Sequence, residues 1–546
     1  MIQYDLLAEP LISITTPDVV APTMVSLPEL YAALVRDEVT DFPALRPHQR
    51  HVWHAFLVQV GALAMHRGGA TAPPDTAESW RALLSILTPG SEQVGAWALV
   101  APMGQAALLQ PPDPGADVSK AKIVESPDSL DMLVTSRNHD VKRGVMRSAR
   151  PEHWLYALVS LQTQEGVFGR DNYGISRMNG GFSSRPGFAM IPSGGVGRRV
   201  VRDLACLLKL RGEMLKSGTH FKSSGGVGLL WLLPWDGTTS LSMKGLDPFY
   251  VEICRRARLR VTGAARLEAM CWGSKMARIE SGSLRGVTGD PWAPVVRDEK
   301  GTKALTCEPA TISYRRLTPL LFPRFGDPMA AQRAPLQHIF STDDPSGLSL
   351  SVTGLVRGQG ATEGLHTRRI AVSNTRRTFM AETPTDAIAA LAHERVQLAG
   401  EFVRTVFYPS ALTVFTAAPS EGERERDDDT AKKRSGSWCL KLESAIDDDF
   451  FERLDDEAGA PTPDDASMLR REWLNDIGAR GRTLLSELIR SAPDAAMRHY
   501  RVRVRATDRY TSAFARFLRD AGFEPTLVAT SIDCDANTIQ SGDDDE

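Results

Sequence analysis

Two runs of SGGVG, at 193–197 ahead of a helical stretch and at 224–228 ahead of a strand, are the residues here best suited to hold phosphate. Backbone amides of a glycine-rich turn that opens a helix cradle anions, and Arg198 with Arg199 would reinforce the first run. Neither run closes with the Lys-Ser/Thr of a phosphate-binding loop, and neither has G-x-G-x-x-G spacing after a strand. Glycine turns between elements account for both better, with a nucleotide-dependent enzyme using the 193–199 turn as a rival reading. No G-x-S-x-G, H-E-x-x-H or H-R-D set occurs. His48, His51 and His54 recur at i, i+3, i+6, a spacing that permits metal binding, but no acidic or cysteine partner lies nearby and packing roles are expected. The aspartate runs at 427–429 and 447–449 read as solvated surface. No catalytic residue, metal or cofactor is expected.

Two other stretches suit nucleic acid. GRDNYGISRMNGGFSSRPG (169–187) combines four glycines with Arg170, Arg177, Arg185, Asn172 and Asn179, and offers Tyr173 and Phe182 as anchors. Glycine lets backbone approach a ligand, while Asn and Arg supply donors and acceptors for base edges and phosphates. SRNHDVKRGVMRSAR (136–150) is basic, and Arg137, Lys142, Arg143 and Arg147 are its expected phosphate contacts. Ordinary surface loops share both compositions.

Charge is segregated along the chain. Residues 1–118 carry 5 basic and 12 acidic side chains, 119–380 carry 38 and 22, and 381–546 carry 21 and 33. A basic middle is an electrostatic footprint for a polyanion, unless the charges mix in three dimensions. No apolar run approaches a membrane span, no signal-peptide pattern opens the sequence, and the six cysteines form no C-x-x-C pair. These features predict a cytoplasmic protein with reduced thiols and no membrane partner.

The elements needed to position these loops predict an α+β protein. Its 546 residues exceed one ordinary core. Helical stripes cover LPELYAAL (capped by Ser26), HQRHVWHAFLVQVGALAM, PEHWLYALVSLQT and VGRRVVRDLACLLKLRGEML, whereas LSLSVTGLV and LHTRRIAVS alternate as strands. A large irregular α+β domain is expected over 1–377, with an internal boundary near 104–120. Helical periodicity then predicts an all-α four-helix bundle over 378–526, interrupted by a mobile linker at 420–437, and an acidic tail over 527–546.

YALVSLQTQEGVFGRDNYGISRMNGGFSSRPG, the WLLPWDG region, RGVTGDPWAPV (285–295) and the helical last third together resemble the CasA large subunit of the type I-E CRISPR surveillance complex, Cascade. The similarity runs from about residue 4 to about residue 522, with NGGF and TGDPW its most specific points. The resemblance implies a wedge-like α/β domain followed by a four-helix bundle. It also implies a non-catalytic subunit that reads the protospacer-adjacent motif of double-stranded DNA from the minor groove and starts duplex opening for guide RNA pairing. Other Cascade subunits and a helicase-nuclease effector are the implied protein partners.

By that resemblance, the loop entering the minor groove falls on Arg177, Met178, Asn179 and Gly180, and a second basic residue of the groove falls on Lys275 or Arg278. A wedge hairpin falls on LSLSVTGLVRGQGATEGLHTRRIAV, with strands at 348–356 and 365–373 and Gln359 at the tip. Arg357, Arg368 and Arg369 would hold phosphates beside the split. A purely structural assembly subunit is the remaining alternative.

Overall fold

A computed structural model describes residues 2–17, 19–90, 94–131, 146, 148–178, 184–216, 221–263, 266–307, 312–323, 331–340, 342–344, 347–358, 361–373, 386–416, 429–491 and 496–525. The chain forms two compact units, Met1–His393 and Glu394–Glu546. The first mixes helices with small sheets and the second is helical, in the α+β class expected. No helix of the described residues is long and apolar enough to cross a membrane.

In the first unit, α1 (Leu27–Val35), α2 (Gln49–Gly68), α3 (Ala77–Ile86), α4 (Pro151–Gln164) and α5 (Val196–Lys216) supply much of the core. Helix α2 packs against α3, α4 and α5 and is buried on every side from His51 to Met65, as a helix without a polar face must be. Its polar side chains therefore need internal partners. His48 Nε2 lies 2.9 Å from Asp131, His54 Nε2 lies 2.7 Å from Asp203, and Gln59 donates to the Tyr250 carbonyl. At the start of α1, the Ser26 N–H donates to Glu29, the return half of a capping box.

Three strand groups matter for the site. A hairpin of β1 (Ile12–Thr16) and β2 (Val19–Val25) flanks the core. The strand β3 (Lys122–Val124) completes a sheet whose other two members lie in the basic middle of the chain. A third sheet begins with β4 (Gly187–Ile191), directly after the glycine loop. The second sheet has the order β5 (Arg256–Val261), β6 (Leu267–Trp272), β3, all antiparallel. In the third sheet, β7 (Ser349–Gly358) lies between β4 and β8 (Ala361–Ala371). The hairpin is longer than its glycines suggest. Pairing continues through Val356↔Gly364 and Arg357↔Thr362 to Gly358↔Ala361, so the expected 357–364 loop is mostly strand. A register shift between Val356 and Arg357 absorbs the irregularity that Gly364 introduces.

In the second unit, α6 (Asp386–Phe402), which begins in the first, continues through a π-helical turn at Val403–Phe407 into α7 (Tyr408–Thr416). Pro409 just beyond that turn cannot donate to a carbonyl one turn back, and widening the helix relieves the clash. Then follow α8 (Asp429–Asp447), α9 (Phe450–Ala458), α10 (Pro463–Ser491) and α11 (Ala496–Asp520). The expected linker is thus too long. Residues 429–437 belong to α8, where Ala431 and Ser435 are buried four residues apart, and 420–428 lie outside the described residues. Glycines at 478 and 481 let α10 approach α11 closely: the Tyr510 hydroxyl donates to the Gly478 carbonyl at 2.6 Å, and a Cβ on Gly481 would lie 2.5 Å from that hydroxyl.

Candidate nucleic-acid interface

Two buried arginines that flank the glycine stretch in sequence, Arg177 and Arg185, meet at one carboxylate. Arg185 grips Asp290 with Nε at 2.5 Å and Nη2 at 2.7 Å, and Arg177 Nε is 3.8 Å from the same carboxylate. Arg177 also donates to Glu252 and the Tyr250 carbonyl and lies 3.7 Å over the Tyr250 ring. Glu252 accepts from the Ser176 N–H and hydroxyl. Two arginines and two carboxylates balance, which is what lets all four stay buried. Arg177 is therefore a base pin of the loop and not a groove-reading donor, since only 1% of it reaches solvent. Met178 is buried with Ile175 and Cys254 for the same reason. Asn179 and Gly180, between the pins, lie outside the described residues.

The same loop is fastened to the hairpin. Glu165, which ends α4, receives Arg357 of β7 at 3.1 Å and Arg255 at 3.0 Å. Ser184 accepts from the Leu355 N–H at 2.9 Å and donates to its carbonyl at 2.8 Å. Arg357 also lies over the ring of Phe168, which is partly exposed. So Arg357 is a buried tie and not a phosphate contact, because extended pairing places it inside the sheet. Of the other hairpin arginines, Arg368 is half-buried and donates to the Ile312 carbonyl, whereas Arg369 is exposed. Gln359 lies outside the described residues.

Between the loop and 273–276 a tight turn builds an exposed platform. Asp171 and Gly169 adopt positive φ, the Asp171 carbonyl accepts from the Ser274 N–H at 3.0 Å, and the Tyr173 hydroxyl donates to the Lys275 carbonyl at 3.0 Å. Lys275 is exposed beside Met276, and the Arg170 side chain is 95% exposed. Arg278 is buried. It donates to the carbonyls of Leu230, Leu233 and Pro234 and lies over Trp235, and burial without a carboxylate lowers its pKa to about 10. Of the two basic residues expected near the groove, Lys275 alone faces solvent.

The remaining expected sites divide similarly. Arg137, Lys142, Arg143 and Arg147 lie outside the described residues. At the first SGGVG turn the anion position is already filled: Asp37 accepts from the Arg198 N–H at 3.2 Å and pairs with Arg198 Nε, while a Cβ on Gly197 would strike the Leu34 carbonyl. Five of the 38 basic residues in the middle of the chain, Arg177, Arg185, Arg202, Arg211 and Arg255, are internal, each paired with a buried carboxylate of the same stretch. Sequence reading missed Glu165 and Glu252. No spacing signal marks either one.

No family model and no curated protein matches the sequence. Solved structures do match. Cse1 from Acidimicrobium ferrooxidans aligns with a TM-score of 0.61 at 15% identity, over 96% of this chain and 100% of that one. CasA from Thermus thermophilus aligns with a TM-score of 0.63 at 14% identity, over 95% and 100%. A chain of a CRISPR RNA-guided surveillance complex aligns with a TM-score of 0.59 at 14% identity, over 94% and 99%. The α+β unit followed by a helical one is thus an arrangement this chain shares in fold with these CRISPR-associated chains. The fold of this chain is that of CasA, also called Cse1.

Proposed function

We propose that this chain is the large subunit of a type I-E Cascade complex. In that role it reads the protospacer-adjacent motif of duplex DNA from the minor groove, starts duplex opening for guide RNA pairing, and docks the helicase-nuclease. The observation that carries the proposal is agreement in fold with CasA chains over nearly their whole length. The platform of Arg170, Tyr173 and Lys275 supports it, because exposed cations beside a pinned glycine loop suit backbone contact and close approach. So does the tie between loop and hairpin through Glu165, which links motif reading to a wedge at Gln359. The subunit is read as non-catalytic and cytoplasmic. The enzyme reading on 193–199 has weaker support, since the Asp37 carboxylate sits where a phosphate would bind.

A mobility-shift assay of a motif-bearing target duplex tests this, using guide RNA and the remaining Cascade subunits with and without this chain. A motif-dependent shift that needs the chain is expected. A shift indifferent to it would remove the proposal.

A further inference from the structure

Helix α11 carries seven arginines against two aspartates in the most acidic third of the chain. Val502, Ala506, Tyr510, Phe517 and Leu518 are its buried face. Arg501, Arg505, Arg509, Arg516 and Arg519 are exposed, and at 3.6 residues per turn they project within about 80° of one another. They form a stripe about 27 Å long with a stride of about 6 Å over its first three members. Arg509 donates to Thr413 at 3.1 Å. Among the described residues, Arg501, Arg505, Arg516 and Arg519 make no ion pair, although Asp508 lies on the same face. Like charges four residues apart destabilise a helix, so the stripe opposes folding unless a polyanion covers it. Tyr500, 68% exposed, projects about 100° round the helix from Arg501, with Val504, 39% exposed, between their directions.

We propose that this stripe is a docking surface for single-stranded DNA, with successive phosphates along the arginines and a base against Tyr500. The arginine stride suits the repeat of one strand's backbone, and an exposed aromatic ring beside it is the usual stacking platform for an unpaired base. Outside α11 the stretch 381–546 carries 31 acidic residues against 14 basic, an excess that disfavours a polyanion elsewhere in this part of the chain. An acidic protein segment would satisfy the charges but would leave Tyr500 without a role. The surface is independent of motif reading by the first unit, so either can fail alone.

The test uses the full chain, a fluorescent dT20 oligonucleotide lacking any motif, and a salt titration. Arg501→Glu with Arg505→Glu should lower affinity at least tenfold. Arg501→Gln with Arg505→Gln, which removes charge without reversing it, should reduce the slope of log affinity against log salt by about 1.4. Tyr500→Ala should weaken binding at least fivefold with the slope unchanged. Arg404→Glu, an exposed reversal elsewhere in the unit, is the control for net charge. Affinity within twofold of the wild type for both arginine double variants would overturn the proposal. Loss of polyglutamate binding with oligonucleotide binding intact would overturn it in favour of an acidic protein partner.

Discussion

Arg185 and Asp290 are 105 residues apart in sequence, yet their side chains form a two-pronged ion pair in the core, and Asp290 also accepts from the Trp292 N–H at 2.8 Å. The pair joins Arg185, three residues beyond NGGF in sequence, to the TGDPW segment. Both ends of the loop depend on that carboxylate, because Arg177 shares it.

Asp290→Asn should therefore cost about 3–5 kcal/mol of stability, the range for removing one member of a buried pair. Arg185→Lys should recover little, since an ammonium cannot make both contacts. Urea unfolding of each variant checks this. A loss below 1 kcal/mol for Asp290→Asn would mean that the arginines find other partners.

Lys275 and Arg278 should separate cleanly. Lys275→Ala should leave stability within about 0.5 kcal/mol, as exposed substitutions do, while reducing the salt slope of duplex binding by about 0.9. Arg278→Ala should cost about 1–3 kcal/mol, because the part-buried Leu233 carbonyl loses its donor and the Leu230 carbonyl keeps only the Leu233 N–H at 3.4 Å. Paired unfolding and salt titrations decide. If Arg278→Ala instead changes the salt slope at unchanged stability, the assignment of the two residues is reversed.

The pattern behind these pairs explains what could be read from the sequence. Apolar periodicity found α5, because burial of one face leaves a regular trace, and apolar runs marked α4, which is buried on every side from Trp154 to Gln164, and the long hairpin. It could not divide arginines between core and surface. Arg177 and Arg170 look alike in GRDNYGISRMN, and their roles differ only because Glu252 and Asp290 fold back onto one of them. Likewise the strand expected after the second SGGVG run is strand only over Val227–Leu229 and turns into a 3-10 helix at Leu230–Leu232, where Arg278 donates to the Leu230 carbonyl. Net charge hid one feature: the acidic last third carries the stripe on α11, whereas the internal ion pairs of the basic middle take one charge of each sign from that stretch and leave its positive excess unchanged.

Acid should destabilise the first unit between pH 6.5 and 4. Burial is the largest cause holding His54 down at about 4, with Arg199 adding to it against the upward pull of Asp203, and burial also holds His51 well below its ordinary value. Both folded values lie below the ordinary 6.5, so the unfolded chain binds protons that the folded chain does not, and stability falls as pH drops through that window. Each histidine contributes up to about 1.4 kcal/mol per pH unit. His54→Gln can keep a donor to Asp203 and should lower the slope of stability against pH by about that amount. An identical slope would show that His54 titrates normally.

Arg357 should act as the link between hairpin and glycine loop, not as a DNA contact. Replacing it with Met preserves the aliphatic packing over Phe168 and leaves Glu165 paired with Arg255, so stability should fall by only about 1–3 kcal/mol. Glu165→Gln, which strands two buried guanidiniums, should cost more. If the hairpin opens the duplex while the loop holds the motif, loosening their tie should leave motif affinity nearly intact and slow melting of a normal duplex. A target with a preformed bubble beside the motif should restore the rate, since unstacking, which costs a few kcal/mol per step, has already occurred. Fluorescence of a reporter base at the first opened step gives both rates. Arg369→Ala, an exposed change on β8, should slow both targets equally if it touches phosphate, and that separates a DNA contact from the internal tie. Equal slowing of duplex and bubble by Arg357→Met would show that the tie does not serve strand opening.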